Sequence, residues 1–138
     1  DALSTLGDAE NWDYVAPSRT IELPARDALA YDALHDLLYA WQRDPAGGDD
    51  HRVMTIENAA TADGEVEPKL VHGPDTQLGG PHGTAAGFRV FGDTDLLYVG
   101  FTDGAISVFD YASTLEGNVE PLYTELLSPT VFFVARTQ

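Results

Sequence analysis

RDALAYDALHDLLYAWQR, residues 26–43, decides how the fold is read. Ala30, Leu34, Leu37, Leu38 and Trp41 recur at the spacing of one buried helical face, with Asp27, Asp32, Asp36, Gln42 and Arg43 on the other side. Asp27 at the start and Arg43 at the end suit a helix dipole. Asp44-Pro45 and Gly47-Gly48 then supply a stop. The pattern predicts one long amphipathic helix over about residues 26–43.

Outward from it, the chain reads as β. Thr20–Leu23 is a short strand closed by Pro24, and Arg52–Glu57 (RVMTIE) alternates. Asn58–Glu65 is a polar connection holding the turn signal Asp63-Gly64. Val66–His72 is a weaker strand that Pro68 pushes towards an edge, and Gly73–Gly87 is a long Gly/Pro loop. Phe88–Phe91, Leu96–Phe101 and Ala105–Tyr111 form a meander, because Asp103 and Gly104 between two apolar runs both tolerate positive φ. Leu97, Val99, Phe101, Ile106 and Val108 are expected on one buried face. Leu96, Tyr98, Phe109 and Tyr111 are apolar too, so cover is expected on the second face. Asn118–Leu127 reads as a short helix capped by Asn118, with Leu122, Leu126 and Leu127 inward. Thr130–Ala135 (TVFFVA) reads as a central strand.

These elements predict an α+β fold: a mostly antiparallel sheet or sandwich with the 26–43 helix on one face and a short helix near 119–127. At 138 residues the expectation is one domain, 19–138, preceded by an extended arm, 1–18, anchored by Trp12, Tyr14 and Val15. No repeat of fixed period and no inter-domain linker is visible.

The charge narrows the setting. Asp plus Glu number 23 against 7 Lys plus Arg, a formal net of −16. Asp outnumbers Glu and Arg outnumbers Lys, with Lys69 the one lysine. Such a surface repels itself in dilute buffer, and salt at roughly 0.1–0.15 M already screens beyond about 8–10 Å. Short carboxylates hold water and cations, whereas Lys adds an apolar stem. The mix is the one expected of a high-salt proteome; a high-GC coding bias is the plainer alternative. Nucleic acid and anionic membranes are poor partners for a chain without a basic face. The absence of Cys removes disulfides and thiolate chemistry. No apolar run approaches the ~18–20 residues that span a bilayer, and no signal peptide is visible. The chain opens at Asp1 without Met, the expectation for a processed product. Both a cytoplasmic protein and part of an extracellular particle fit.

Chemistry concentrates in the loop His72-Gly73-Pro74-Asp75-Thr76-Gln77-Leu78-Gly79-Gly80-Pro81-His82-Gly83. Two imidazoles and a carboxylate, His72, Asp75 and His82, form a ligand set for a divalent metal, and Gly83 with the other glycines lets the backbone fold them together. A further ligand would come from His51 or Asp103. The spacing matches no established metal motif, and a partner- or ligand-contacting loop is the plainer reading. His35 is placed to pair with Asp32 along the helix face. Asp44, Asp49 and Asp50 resemble a cation-binding turn but lack the EF-hand order. Asp93, Asp95 and Asp103 are hairpin residues that would hold a cation only if they cluster. No GxSxG elbow, Walker loop or dinucleotide fingerprint is present.

The aromatic residues crowd the second half, where core is the plain reading. One helix covers only one face of a sheet, so a residual apolar face is expected as an interface, with Trp12, Tyr14, Phe88, Phe91 and Tyr98 as its candidates. Three functions remain. The first is a non-enzymatic structural or assembly protein, self-associating as a homo-oligomer or packing with a protein partner in high salt, such as a virion or particle component. The second is a ligand- or protein-binding module using the 72–87 loop. The third is a small metal-dependent or His-based enzyme built on His72, Asp75 and His82.

Overall fold

The computed structural model describes residues 17–24, 27–79 and 82–126. The expected 26–43 helix is a β-hairpin. Strand β2 (Leu29–Asp32) pairs antiparallel with β3 (Leu37–Gln42), and residues 33–36 form the turn. The correction has local causes. The Asp32 carboxylate accepts the Leu34 and His35 N–H groups at 2.9 and 3.3 Å, an Asx-type turn that competes with helix. Asp36 takes φ 54°, which a helix interior does not allow. Leu34, expected inside, is 69 % exposed. Arg43 reaches across to Asp27 at 3.0 Å instead of facing a helix end. The run Leu37–Trp41 fits either template because β3 is covered on both faces, so its two sides are both apolar.

The fold is therefore β, not α+β. Its other strands are β1 (Ile21–Glu22), β4 (Arg52–Glu57), β5 (Gly64–Glu65), β6 (Lys69–Val71), β7 (Ala85–Phe91), β8 (Leu96–Phe101), β9 (Ala105–Phe109) and β10 (Tyr123–Leu126). Among the described residues the only helical pieces are single 3-10 turns at Pro74–Thr76 and Ala112–Thr114. The expected short helix near 119–127 is replaced by β10, paired with β9 from Tyr123↔Val108 to Leu126↔Ala105. Its Leu122 and Leu126 are 55 % and 68 % exposed, not inward. Leu127 and the strand expected at Thr130–Ala135 lie outside the described residues, as does the arm through residue 16 with Trp12 and Tyr14. Among the described residues no helix is long and apolar enough to cross a membrane.

Two antiparallel four-stranded sheets result, ordered β2-β3-β4-β6 and β7-β8-β9-β10, with β1 and β5 forming a small parallel ribbon. Both are meanders, and both repeat one local sequence. Asp36-Leu37-Leu38-Tyr39 closes the first turn and opens β3; Asp95-Leu96-Leu97-Tyr98 closes the corresponding turn and opens β8. Asp36 and Asp95 share φ near 54–55°. The chain therefore contains an internal repeat, which hydrophobic patterning alone did not reveal.

The sheets stack with opposite faces in contact. The first sheet contributes Leu37, Tyr39 and Trp41 to the core between them; the second contributes Leu97, Val99 and Phe101, the other parity of the same motif. Trp41 is fully buried, edge-on to Phe88 and Phe101, and its indole N–H donates to the Thr84 hydroxyl at 3.1 Å. Register sets Leu97 opposite Phe109 and Val99 opposite Ser107, so Ile106 and Val108 point away from this core, contrary to the expected face. The back of the first sheet (Ala40, Met54 and Ile56) is covered by Leu23, Ala62 and Val66. At the far edge, Gly117 bridges Val71 in parallel: its N–H donates to the Leu70 carbonyl and its carbonyl accepts the His72 N–H.

Candidate functional site

The 72–83 loop leaves β6 at the edge that Gly117 fastens, and it does not gather its polar side chains into one group. His72 Nδ1 lies 3.1 Å from Asp50. Asp75 instead faces Asn118, whose side-chain N–H donates to its carboxylate at 2.8 Å while the Asp75 N–H donates back at 2.9 Å. His82 Nδ1 is 2.9 Å from Asp103, and its ring lies against Phe101. Each expected ligand thus has a separate partner, and the two imidazoles serve opposite ends of the loop. Gly83 adopts φ 76°, the left-handed conformation that suits glycine. His51, the proposed extra ligand, accepts the Asp44 N–H at 3.0 Å and packs beside Trp41.

What the loop does form is an open groove of about 590 Å³, lined by Asp49, Asp50, His72, Pro74, Gln77 and Gly79. Its floor is fixed by close packing: a side chain at Gly79 would run into the Asp49 backbone. Nearby, Asp44 accepts the Ala46 and Asp50 N–H groups, which hold its carboxyl below the ordinary value. At Asp103 burial works to raise the carboxyl; the Ala105 N–H and His82 outweigh it and hold it low. Asp44, Asp49 and Asp50 belong to this turn as backbone acceptors and groove walls.

The second candidate is the outer face of the β7–β10 sheet. Alternation puts Arg89 and Phe91, Leu96 and Tyr98, Ile106 and Val108, and Tyr123 and Glu125 on that side. Phe91 is 40 % exposed and stands edge-on to Tyr98 at 5.4 Å, with the Arg89 guanidinium over its ring. Of the residues expected at an interface, Phe91 and Tyr98 lie on this face, whereas Phe88 is buried in the core.

A third group was legible only in pieces. Asp32 and His35 do pair, at 2.6 Å, but within the β2–β3 turn and not along a helix. Asp95 joins them, not Asp93 and Asp103: Asp93 accepts the Thr94 N–H and Asp103 belongs to His82. The repeated turns bring Asp95 and Asp32 to the same place.

Comparison with known proteins found no matching family model, no matching curated protein and no matching solved structure.

Proposed function

We propose that this chain is a non-enzymatic structural protein that packs against a second copy of itself in a high-salt setting, as a component of a virion or other particle does. One observation carries the reading. Leu96 and Tyr98, half-buried on the outer face of the second sheet, occupy the motif positions of Leu37 and Tyr39, which in the first sheet are buried against a neighbouring sheet. Around a buried Val108 this face keeps Phe91 and Tyr123 exposed, in a chain of net charge −16. The face is also mixed in charge. Arg89 lies on the β7 edge strand and Glu125 on the β10 edge strand, so the two edges of the face carry opposite charges.

Light scattering after size exclusion in about 2–3 M KCl tests this, the salt serving to screen the net charge. The expected result is a dimer or larger species that Phe91→Asp with Tyr98→Asp converts to monomer while far-UV circular dichroism stays unchanged. A monomeric wild-type chain overturns the reading. It would mean that other parts of the same chain cover the face. The high-salt part predicts a melting temperature that rises steeply from low to molar KCl, and a flat profile defeats it.

The groove beside His72 supports a second reading, a ligand- or peptide-binding module, because Gly79 and Asp50 give it a defined floor and wall. The enzyme reading on His72, Asp75 and His82 has the least support, since the three engage Asp50, Asn118 and Asp103 separately.

A further inference from the structure

The geometry points to a divalent transition-metal site where the two repeated turns meet, with Asp32, His35 and Asp95 as ligands and the ion clipping one sheet to the other. One ligand atom from each residue lies within 4.8 Å of the others. The first turn supplies a carboxylate and an imidazole, and the second turn supplies the other carboxylate, so the group exists only because the sheets are stacked. Both carboxylates are held in place. The Asp32 side chain is 1 % exposed, and one oxygen is occupied by the Leu34 and His35 N–H groups, which turns the other towards the imidazole. Asp95 accepts both the N–H and the hydroxyl of Ser113 at 2.8 Å. Such outer contacts orient a ligand and leave a lone pair on each oxygen.

An independent observation also points to an occupant. Tyr39 is completely buried, and its hydroxyl has no hydrogen-bond partner among the described residues. Register puts Tyr39 on the same face as Asp32, two residues along from the Leu37 that pairs with it. Burial raises the phenol well above its ordinary value, and the Asp32 and Asp95 carboxylates add to the rise. The hydroxyl therefore sits within the field of the two carboxylates without bonding to either. A water in the shell of an ion held by those carboxylates would complete this buried O–H.

The donor set selects the ion. One imidazole and two carboxylates suit zinc or manganese better than calcium or magnesium, which prefer oxygen alone. His35 is on the exposed side of the turn and gives the ion a way in. A net charge of −16 raises the local concentration of cations.

The test is titration of the chelator-stripped full chain with Zn²⁺ in molar KCl, read by calorimetry and by thermal unfolding. One ion per chain and a melting temperature raised by several degrees are expected, with magnesium giving no shift. His35→Ala, at an exposed turn position, should abolish both signals; Asp95→Asn should do the same. His72→Ala and His82→Ala should leave them unchanged. No saturable binding overturns the site. So does binding that survives His35→Ala, or binding lost in the His72 and His82 variants.

Discussion

The two turn–strand units, Asp36–Tyr39 and Asp95–Tyr98, carry the same four residues and meet different fates. In the first, Leu37 and Tyr39 are buried against the second sheet. In the second, Leu96 and Tyr98 stand on a face that no described residue packs over as a sheet. One local sequence makes one local structure, a left-handed Asp followed by a strand, and the order of stacking alone decides which copy is buried. The turns also differ in composition. Ala33 in the first corresponds to Gly92 in the second, and a side chain on Gly92 would run into the Asp32 carboxylate of the other sheet. The two turns touch at Gly92, whereas Ala33, the matching position of the first turn, is exposed.

The tyrosines give the largest break in that comparison. Tyr39→Ala should cost about 3–5 kcal/mol, and Tyr98→Ala about 1 kcal/mol in the isolated chain, by urea unfolding at protein concentrations too low for association. Equal losses would mean that Tyr98 is buried after all. Next come the turns themselves. Gly92→Ala should destabilise by about 1–3 kcal/mol through overpacking against Asp32 and Leu34, while Ala33→Gly should cost no more than about 1 kcal/mol. Matching effects would show that the two turns are packed alike.

A smaller effect compares the connections that follow. Residues 43–51 are organised by Asp44 and the 102–104 turn by Asp103, both held below the ordinary carboxyl value in the fold. Each therefore contributes stability that is complete above the unfolded value of about 4 and is lost as the pH falls through the folded one. Unfolding midpoints measured on descent from pH 5 should drop, and Asp44→Asn or Asp103→Asn should flatten that descent. A variant with an unaltered slope would separate its carboxylate from the acid limb. The least effect belongs to the exposed pair of Lys69 and Glu57, 2.6 Å apart at the first sheet's edge, where the Glu57 hydrogen bond raises the ammonium. Lys69→Ala should leave the unfolding midpoint almost unchanged, and more nearly so in molar salt.

Much of the second sheet was legible from patterning. Asp103-Gly104 marked its hairpin, and the apolar runs at 96–101 and 105–111 contain β8 and β9, the latter ending at Phe109. The first hairpin was not legible, for a physical reason. A strand covered on both faces has no alternation to display, and Ala and Leu add helix propensity that tertiary packing overrides. The better signal was Asp at 32 and 36, a poor helix former that bonds to its own turn. Ile106 and Val108 were placed on the wrong face because pairing register, not composition, sets which parity of β9 follows Leu97. The candidate sites divide the same way. His35 with Asp32 is local and was visible, whereas Asp95 reaches them only through sheet stacking. His72, Asp75 and His82 are close in sequence, yet the structure gives each a different partner.

The Gly117 bridge has a consequence for the order of events during synthesis. The first sheet's edge strand ends at Val71, but the backbone groups at Leu70 and His72 find their partners only once Gly117 exists. At about 5–20 residues per second the ribosome takes seconds to make the intervening chain. Through that interval the edge is open to any other strand within reach, including the same edge on a neighbouring nascent chain. Lys69 and Pro68 beside it, a charge and a residue without an N–H, are the guards that a strand left waiting requires.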